Sequence, residues 1–212
     1  MTTLSDIRSA LRTDLKDTDS ANYRWTDGEL DRHIAVALKE LSRSMPVEQK
    51  TALATTAGSR QVSLASLGDV LVVQAVEYPT GRFPSAYQRF SLYDGVITLL
   101  GEDVPDGSNC IVYFGAPQTL DASGCTLAAA YQDILTFGAS AYALLAYAAY
   151  SLNRINTGGK DSPTDFRNEG ERRLSIFREE LRRHAARNRV RTSRLYTPHE
   201  PAKSRTTDWG PA

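Results

Sequence analysis

An uncharged stretch of nineteen residues, 134–152, constrains the fold of this chain more than any other feature. Its length is enough to cross a bilayer. Its composition argues against a membrane span, because it contains six Ala, three Tyr, two Ser, one Thr and one Gly, and no cluster of basic residues flanks it. We therefore expect a helix over about residues 126–153 that is buried on nearly all sides, within a bundle or between subunits, and no membrane partner.

A second helix has the clearest start signal in the sequence. Thr26 can cap this helix while Glu29 reaches back to the Thr26 amide, which is the capping-box arrangement. Trp25 precedes the cap and Leu30 is the fourth helical residue, so the two are placed as a hydrophobic staple. Asp27 and Glu29 also put negative charge at the positive end of the helix dipole. We interpret Trp25 as an anchor for this helix start rather than as a binding residue.

Two further helices complete a predicted helical core. Apolar residues spaced by three and four predict a first helix over about residues 4–16. Ser162 as a cap, followed by Pro163 at the first helical position, predicts the start of a last helix whose pattern fades near Asn188.

Over about residues 60–114 the spacing of apolar residues changes from a helical to a strand periodicity. Expected strands cover about residues 61–64, 70–78, 87–93, 96–100 and 109–114, with a hairpin turn at Asp94-Gly95. The predicted fold class is α+β, mainly α: a four-helix core with an inserted small antiparallel β module and an extended C-terminal arm. We assign residues 1–50 and 126–189 to the helical core, 51–125 to the β-rich module and 190–212 to the arm.

Charge is unevenly distributed although Lys plus Arg equals Asp plus Glu at 25 each. Residues 51–130 hold three basic and seven acidic side chains, whereas residues 171–212 hold eleven basic and five acidic ones. The arm contains three Pro and six Ser or Thr without periodicity, so it cannot bury enough apolar surface to order itself. We expect it to dock on a partner, with Tyr196 and Trp209 as anchors.

Arginines crowd the last helix and the arm, and their role has three interpretations. These are docking to an acidic protein surface, a solvated helix face whose charge complements the helix dipole, and direct binding of DNA. The residues concerned are Arg178, Arg182, Arg183, Arg187, Arg189, Arg191 and Arg194.

No residue pattern indicates catalysis. His33, His184 and His199 are scattered, and Cys110 and Cys125 form neither a disulfide framework nor a metal-ligand spacing. No phosphate-binding glycine loop or nucleophile motif is present in the sequence. We therefore predict a protein that is not an enzyme and has no cofactor and no metal. The two cysteines fit a reducing compartment such as a cytoplasm.

The stretch from Tyr23 to Leu30, with Ile34 and Ala37 one and two turns on, resembles the second helix of tailed-phage head–tail connector (adaptor) proteins. In these neck proteins a motif similar to W-S/T-D-x-E-L opens a helix that follows a short first helix. The β-rich insert, the long Ala/Tyr helix, the Pro-started last helix and the polar arm also follow the family's order of elements. The motif-level similarity covers about residues 4–41, and Gly28 departs from the usual helix former at its position.

This resemblance implies a structural virion protein, assembled in the host cytoplasm and located in the neck at the head–tail junction. It implies a ring, typically a dodecamer in this family, between the portal protein and a neck or tail completion protein, with genomic DNA passing through the lumen. The arm would dock on the portal, and the long helix would supply core or subunit-interface tyrosines. The arm residues are Arg191, Arg194, Leu195, Tyr196 and Trp209, and the tyrosines are Tyr131, Tyr142, Tyr147 and Tyr150.

A different function also fits the sequence. The Arg-rich end of the last helix and the arm could form a sequence-independent DNA-binding module, whose affinity for duplex DNA would depend strongly on salt concentration.

Overall fold

The computed structural model describes residues 2–101, 104–151 and 163–185, so the predicted arm lies outside the described residues. The described residues form four α-helices and two small antiparallel sheets, which confirms the predicted α+β, mainly α, fold class. The helices are α1 (Leu4–Asp14), α2 (Asp27–Ser44), α3 (Gln132–Ser151) and α4 (Pro163–Ala185).

Helix α3 is the centre of the bundle and packs against each of the other three helices. It is the one helix of the described ranges that is long and apolar enough to cross a membrane, and half of its most apolar window is buried by protein. The packing confirms a bundle helix, but α3 is less buried than the sequence predicted, because Ala146, Ala149 and Tyr150 are exposed. The buried apolar residues of the bundle are Ile7, Leu11, Trp25, Leu30, Ile34, Ala37, Leu41, Met45, Leu127, Leu135, Ala139, Ala143, Phe177 and Leu181.

Glycines let α3 and α4 approach closely. A Cβ added to Gly138 of α3 would lie 2.6 Å from the ring of Phe177, and one added to Gly170 of α4 would lie 2.8 Å from the side chain of Leu145. Phe177 is fully buried. Gly138 and Gly170 therefore serve close packing between α3 and α4.

The β module contains seven strands in the described residues, where the sequence predicted four or five. One sheet has the strand order β1-β7-β3-β4 and the other has the order β2-β6-β5. The apolar faces of both sheets contribute to a second core, separate from that of the bundle. The strands are β1 (Val47–Ala54), β2 (Gln61–Ser63), β3 (Val72–Glu77), β4 (Tyr87–Gln88), β5 (Phe90–Tyr93), β6 (Val96–Leu99) and β7 (Asn109–Ala116).

Two features of the module differ from the sequence prediction. The strand expected over residues 87–93 is divided at Arg89, so that β4 pairs in one sheet and β5 in the other. Strand β1 was not predicted, because its sequence lacks the apolar alternation of a half-buried strand. It pairs with β7 over eight residues, and this non-local pairing gives it a strand conformation.

The predicted hairpin turn joins β5 to β6. Asp94 has φ of 48° and Gly95 has φ of 69°, both in the left-handed region that a two-residue hairpin turn requires.

The module is joined tightly to the bundle. Met45 caps α2 and β1 begins at Val47, and a Cβ on Gly115 of β7 would lie 2.6 Å from the Pro46 ring. On the return path, the Gln118 backbone amide donates to Ser42 Oγ at 3.0 Å, and its side-chain amide donates to the Met45 carbonyl at 2.9 Å. Both connections between the bundle and the module, through Pro46 and through Gln118, therefore contact the C-terminal end of α2.

Candidate functional site

The predicted helix-start motif has the expected geometry. Thr26 Oγ1 accepts from the Glu29 amide at 3.3 Å, and Glu29 Oε2 accepts from the Thr26 amide at 2.7 Å. Trp25 is 4% exposed and belongs to the bundle core, and Leu30 is fully buried. Asp27 is the first residue of α2, where it complements the helix dipole. The contacts of Trp25 within the chain match its interpretation as an anchor.

Replacing Thr26 with Ala should lower the free energy of unfolding by about 1 kcal/mol, because the Glu29 amide loses its acceptor at the helix start. Urea denaturation of the purified chain measures this loss. Thr13→Ala is the matched control, since Thr13 lies inside α1 and Ala is a better helix former there. An equal loss in both variants would contradict the capping role.

A buried ion network fixes the loop between α1 and α2. Arg12 donates to Asp17 Oδ2 at 2.6 Å, to Asp27 Oδ1 at 2.7 Å and to the Trp25 carbonyl at 3.0 Å. The side chains of Arg12 and Asp17 are 8% and 5% exposed. Asp17 also accepts from the Arg24 amide at 2.7 Å, and the Arg12 guanidinium carbon lies 3.5 Å from the Tyr23 ring centre.

This network was missed in the sequence, where residues 17–22 look like an ordinary polar loop. The only signal was Arg12 itself, a charged residue directly after the core position Leu11. The network holds Trp25 and the start of α2 against α1.

An aromatic cluster unites two groups of residues that the sequence singled out separately. The Tyr147 ring lies 5.4 Å from the Trp25 ring, 5.0 Å from Phe166 and 6.2 Å from Tyr150, measured between centroids. The Arg24 guanidinium lies 5.0 Å from the centre of the Tyr147 ring and 5.2 Å from that of Phe166, within reach of cation–π attraction. Tyr150 is 56% exposed, so the cluster reaches the surface there.

The other two tyrosines have different surroundings. The Tyr142 hydroxyl donates to Glu40, which also accepts from Arg178 Nε at 2.7 Å, so α2, α3 and α4 are tied together. Burial and the hydrogen bond to Glu40 raise the pKa of Tyr142. Tyr131 packs edge-on against the His184 ring at 4.9 Å. Of the four tyrosines, Tyr150 is the one with most of its surface exposed.

The arginines of α4 are largely neutralised by neighbouring carboxylates. Arg183 donates to Glu179 at 2.6 Å and to Glu180 at 2.8 Å. Arg172 and Arg173 both contact Glu169, whose pKa they lower to about 2 against the effect of partial burial. Arg178 pairs with Glu40. Arg182 is exposed and donates to the Arg178 carbonyl at 3.3 Å, so among the arginines in the described part of the helix it is the one whose charge no carboxylate offsets. Arg187 to Arg194 lie outside the described residues.

Two exposed apolar surfaces occur at opposite ends of the β module. The first, here called the module tip, consists of Phe83, Leu100 and Val104, and Phe83 is fully exposed. The loops that carry these residues are joined by a 2.9 Å hydrogen bond from the Tyr78 hydroxyl to Asp106. Isolated exposed apolar residues are ordinary, and what distinguishes these three is that they share one end of the module.

The second surface, here called the module groove, lies at the end of the module nearest the bundle. It encloses about 770 Å³, and its lining includes Asp69, Leu71, Leu92, Tyr93, Asp94 and Pro117. Tyr93 is 85% exposed. The sequence predicts neither surface, because the alternation of apolar residues shows which face of a strand is apolar but not whether another element covers that face.

No metal site was expected, and none of the described ranges contains a group of three His, Cys, Asp or Glu side chains that could hold an ion. The predicted docking residues Arg191, Arg194, Leu195, Tyr196 and Trp209 lie outside the described residues.

Comparison with known proteins gives one family. Residues 2–201 match the sequence profile of the family described as SU10 adaptor protein, which is nearly the whole chain. No protein in the curated collection matches the chain.

Proposed function

Because the chain belongs to the SU10 adaptor protein family, a family of phage structural adaptors rather than enzymes, we propose that it forms a ring in the virion neck. The ring would lie between the portal and a neck or tail completion protein, with DNA passing through its lumen. The observation that carries this proposal is the family match over residues 2–201. The helix-start motif, now seen as a capping box with a buried Trp25, supports it.

The module tip and the exposed edge of the aromatic cluster support an assembling subunit. A ring of identical subunits needs head-to-tail contacts between two different surfaces of each copy, and contacts along the ring axis need others. The module tip, with Phe83 at its end, suits contact with the next neck or tail component. The exposed edge of the aromatic cluster at Tyr150 suits contact between neighbouring subunits.

Charge supports passage of DNA better than capture of DNA. Residues 51–130 carry an acidic excess, which would repel the phosphate backbone wherever this segment faces the lumen. The helical arginines Arg173, Arg178 and Arg183 are paired within the chain. The alternative function, sequence-independent DNA binding, would therefore depend on Arg182, which forms no ion pair within the described residues, and on Arg187, Arg189, Arg191 and Arg194.

The proposed arm supplies the portal contact. It combines positive charge with Leu195, Tyr196 and Trp209, and aromatic anchors surrounded by charge are typical of protein docking sites. Ordering of such a segment on its partner would make attachment depend on the assembled portal.

Replacing Leu195, Tyr196 and Trp209 together with Ser in the full-length chain should weaken binding to the purified portal of the same phage by at least roughly tenfold, because the anchors are lost. Surface plasmon resonance measures the affinity, and native mass spectrometry counts the copies bound per portal. The matched control replaces Thr197, Thr206 and Thr207 with Ser in the same segment. Unchanged portal affinity in the anchor variant would contradict the arm assignment.

The DNA-binding alternative has its own readout. A gel shift of the full-length chain with duplex DNA at low salt should show no tight complex if the arm serves protein docking. A tight complex that weakens steeply with added salt would favour the alternative function.

A further inference from the structure

The module groove combines exposed apolar side chains with acidic ones. Leu71, Leu92 and Tyr93 present apolar surface, and Asp69 and Asp94 lie beside them. Within residues 2–101, 104–151 and 163–185, neither carboxylate forms an ion pair. A segment that fits this groove is extended, carries basic side chains and offers apolar or aromatic ones.

The chain itself contains such a segment directly after α4. Residues 186–212 hold six Lys or Arg against two acidic residues, together with Leu195, Tyr196 and Trp209. The charge of this segment is therefore opposite to that of the groove, and its large apolar side chains match the apolar part of the groove.

The position at which α4 ends places this segment near the groove. His184, in the last turn of α4, contacts Tyr131, the residue before α3. Arg178 of the same helix pairs with Glu40 near the C-terminal end of α2, which is the end of the bundle that adjoins the module. At that same end Gln118 is bonded to Met45, and the preceding residue, Pro117, lines the groove. Twenty-seven residues span up to roughly 90 Å when extended, so the reach is ample.

We propose that in the free subunit residues 186–212 lie in the module groove of the same chain. Basic side chains of the segment face Asp69 and Asp94, and an aromatic side chain packs beside Leu92 and Tyr93. The segment leaves the groove when the arm docks on the portal, a step that rests on the proposed function. The groove is thus an intramolecular competitor of the portal, and it lowers the fraction of subunits whose arm is available for premature contacts.

Photo-cross-linking of the full-length chain tests the resting contact. With p-benzoylphenylalanine in place of Tyr93, irradiation should link the groove to a peptide from residues 186–212, in a product of monomer mass. The control places the same group at Phe83 on the module tip, where no link to that segment is expected. Absence of the link from position 93 overturns the proposal, and so does a link found only in a product of dimer mass.

Charge changes in the groove provide a second measurement. The full-length double variant Asp69→Lys, Asp94→Asn should lower the yield of the cross-link by roughly threefold or more, because two attractions are removed. Asn is chosen at position 94 because it tolerates the positive φ of this turn. The control Asp14→Lys changes the charge of an exposed residue at the end of α1 and should leave the yield unchanged. An unchanged yield in the groove variant overturns the proposal.

Portal affinity separates this inference from the proposed function. Since the groove competes with the portal for the same segment, the groove variant should bind the portal roughly threefold more tightly than the parent chain. Unchanged or weaker portal binding overturns the competition. A monomer cross-link in a chain whose arm has no affinity for the portal would instead refute the portal assignment and leave the resting contact standing.

Discussion

Replacing Arg12 with Met should lower the free energy of unfolding by about 3–5 kcal/mol, the largest effect we expect from one polar residue. The substitution keeps an apolar stem of similar length but removes the guanidinium from a site where Asp17 is 5% exposed. Asp17 then remains buried with backbone donors alone, and the Trp25 carbonyl loses its donor. Denaturant titration of the purified chain, followed by circular dichroism, measures the loss.

Arg172→Met is the matched control for this experiment. Arg172 also contacts a carboxylate, that of Glu169 at 2.8 Å, but its side chain is 62% exposed. Solvent screens such a pair, so we expect a loss below about 1 kcal/mol. If both substitutions cost the same, the backbone amides would suffice to hold Asp17 and the buried pair would have no special role.

Replacing Phe177 with Ala should cost about 3–5 kcal/mol, because the ring is fully buried between α3 and α4 and its removal leaves a cavity. The same site tests the close approach of the two helices. Gly138→Ala places a Cβ 2.6 Å from the Phe177 ring, and such overpacking typically costs about 1–3 kcal/mol. This cost outweighs the gain of roughly 1 kcal/mol that Ala brings to a helix interior.

The sign of the Gly138→Ala effect should reverse in the Phe177→Ala background. There the three atoms nearest to the added methyl group are absent, so the gain in helix propensity of up to about 1 kcal/mol should dominate. Gly28→Ala is the control, because nothing lies within 4 Å of a Cβ at that position and its effect should be the same in both backgrounds. Additive effects of Gly138→Ala and Phe177→Ala would contradict the packing described here.

The sequence predicted those parts of the fold that local interactions determine. The capping box of Thr26 and Glu29 involves residues three apart, and the hairpin turn at Asp94-Gly95 depends on the conformations of two adjacent residues. The uncharged stretch required burial by its composition alone. These features therefore follow from short windows of sequence.

The remaining features depend on contacts between distant segments. Strand β1 exists because β7, some sixty residues later, offers a partner for every one of its residues. The division of residues 87–93 at Arg89 follows from competition between two sheets for one segment. Phe83 and Tyr93 are exposed because no distant segment of the described residues packs over them, and no local sequence pattern encodes this. The candidate surfaces of the module were therefore beyond prediction from sequence, whereas the arm's docking residues remain a prediction.

The short connection through Pro46 has a mechanical consequence. One residue lies between the α2 cap and β1, and on the return path Gln118 is hydrogen-bonded to Ser42 and Met45. Neither connection between the bundle and the module therefore contains a flexible linker. We therefore expect a force applied to the module tip to pass along the sheet to the C-terminal end of α2 and from there into the bundle core. In the ring that we propose, each subunit would therefore resist axial load as one stiff body rather than bend at a hinge between the bundle and the module.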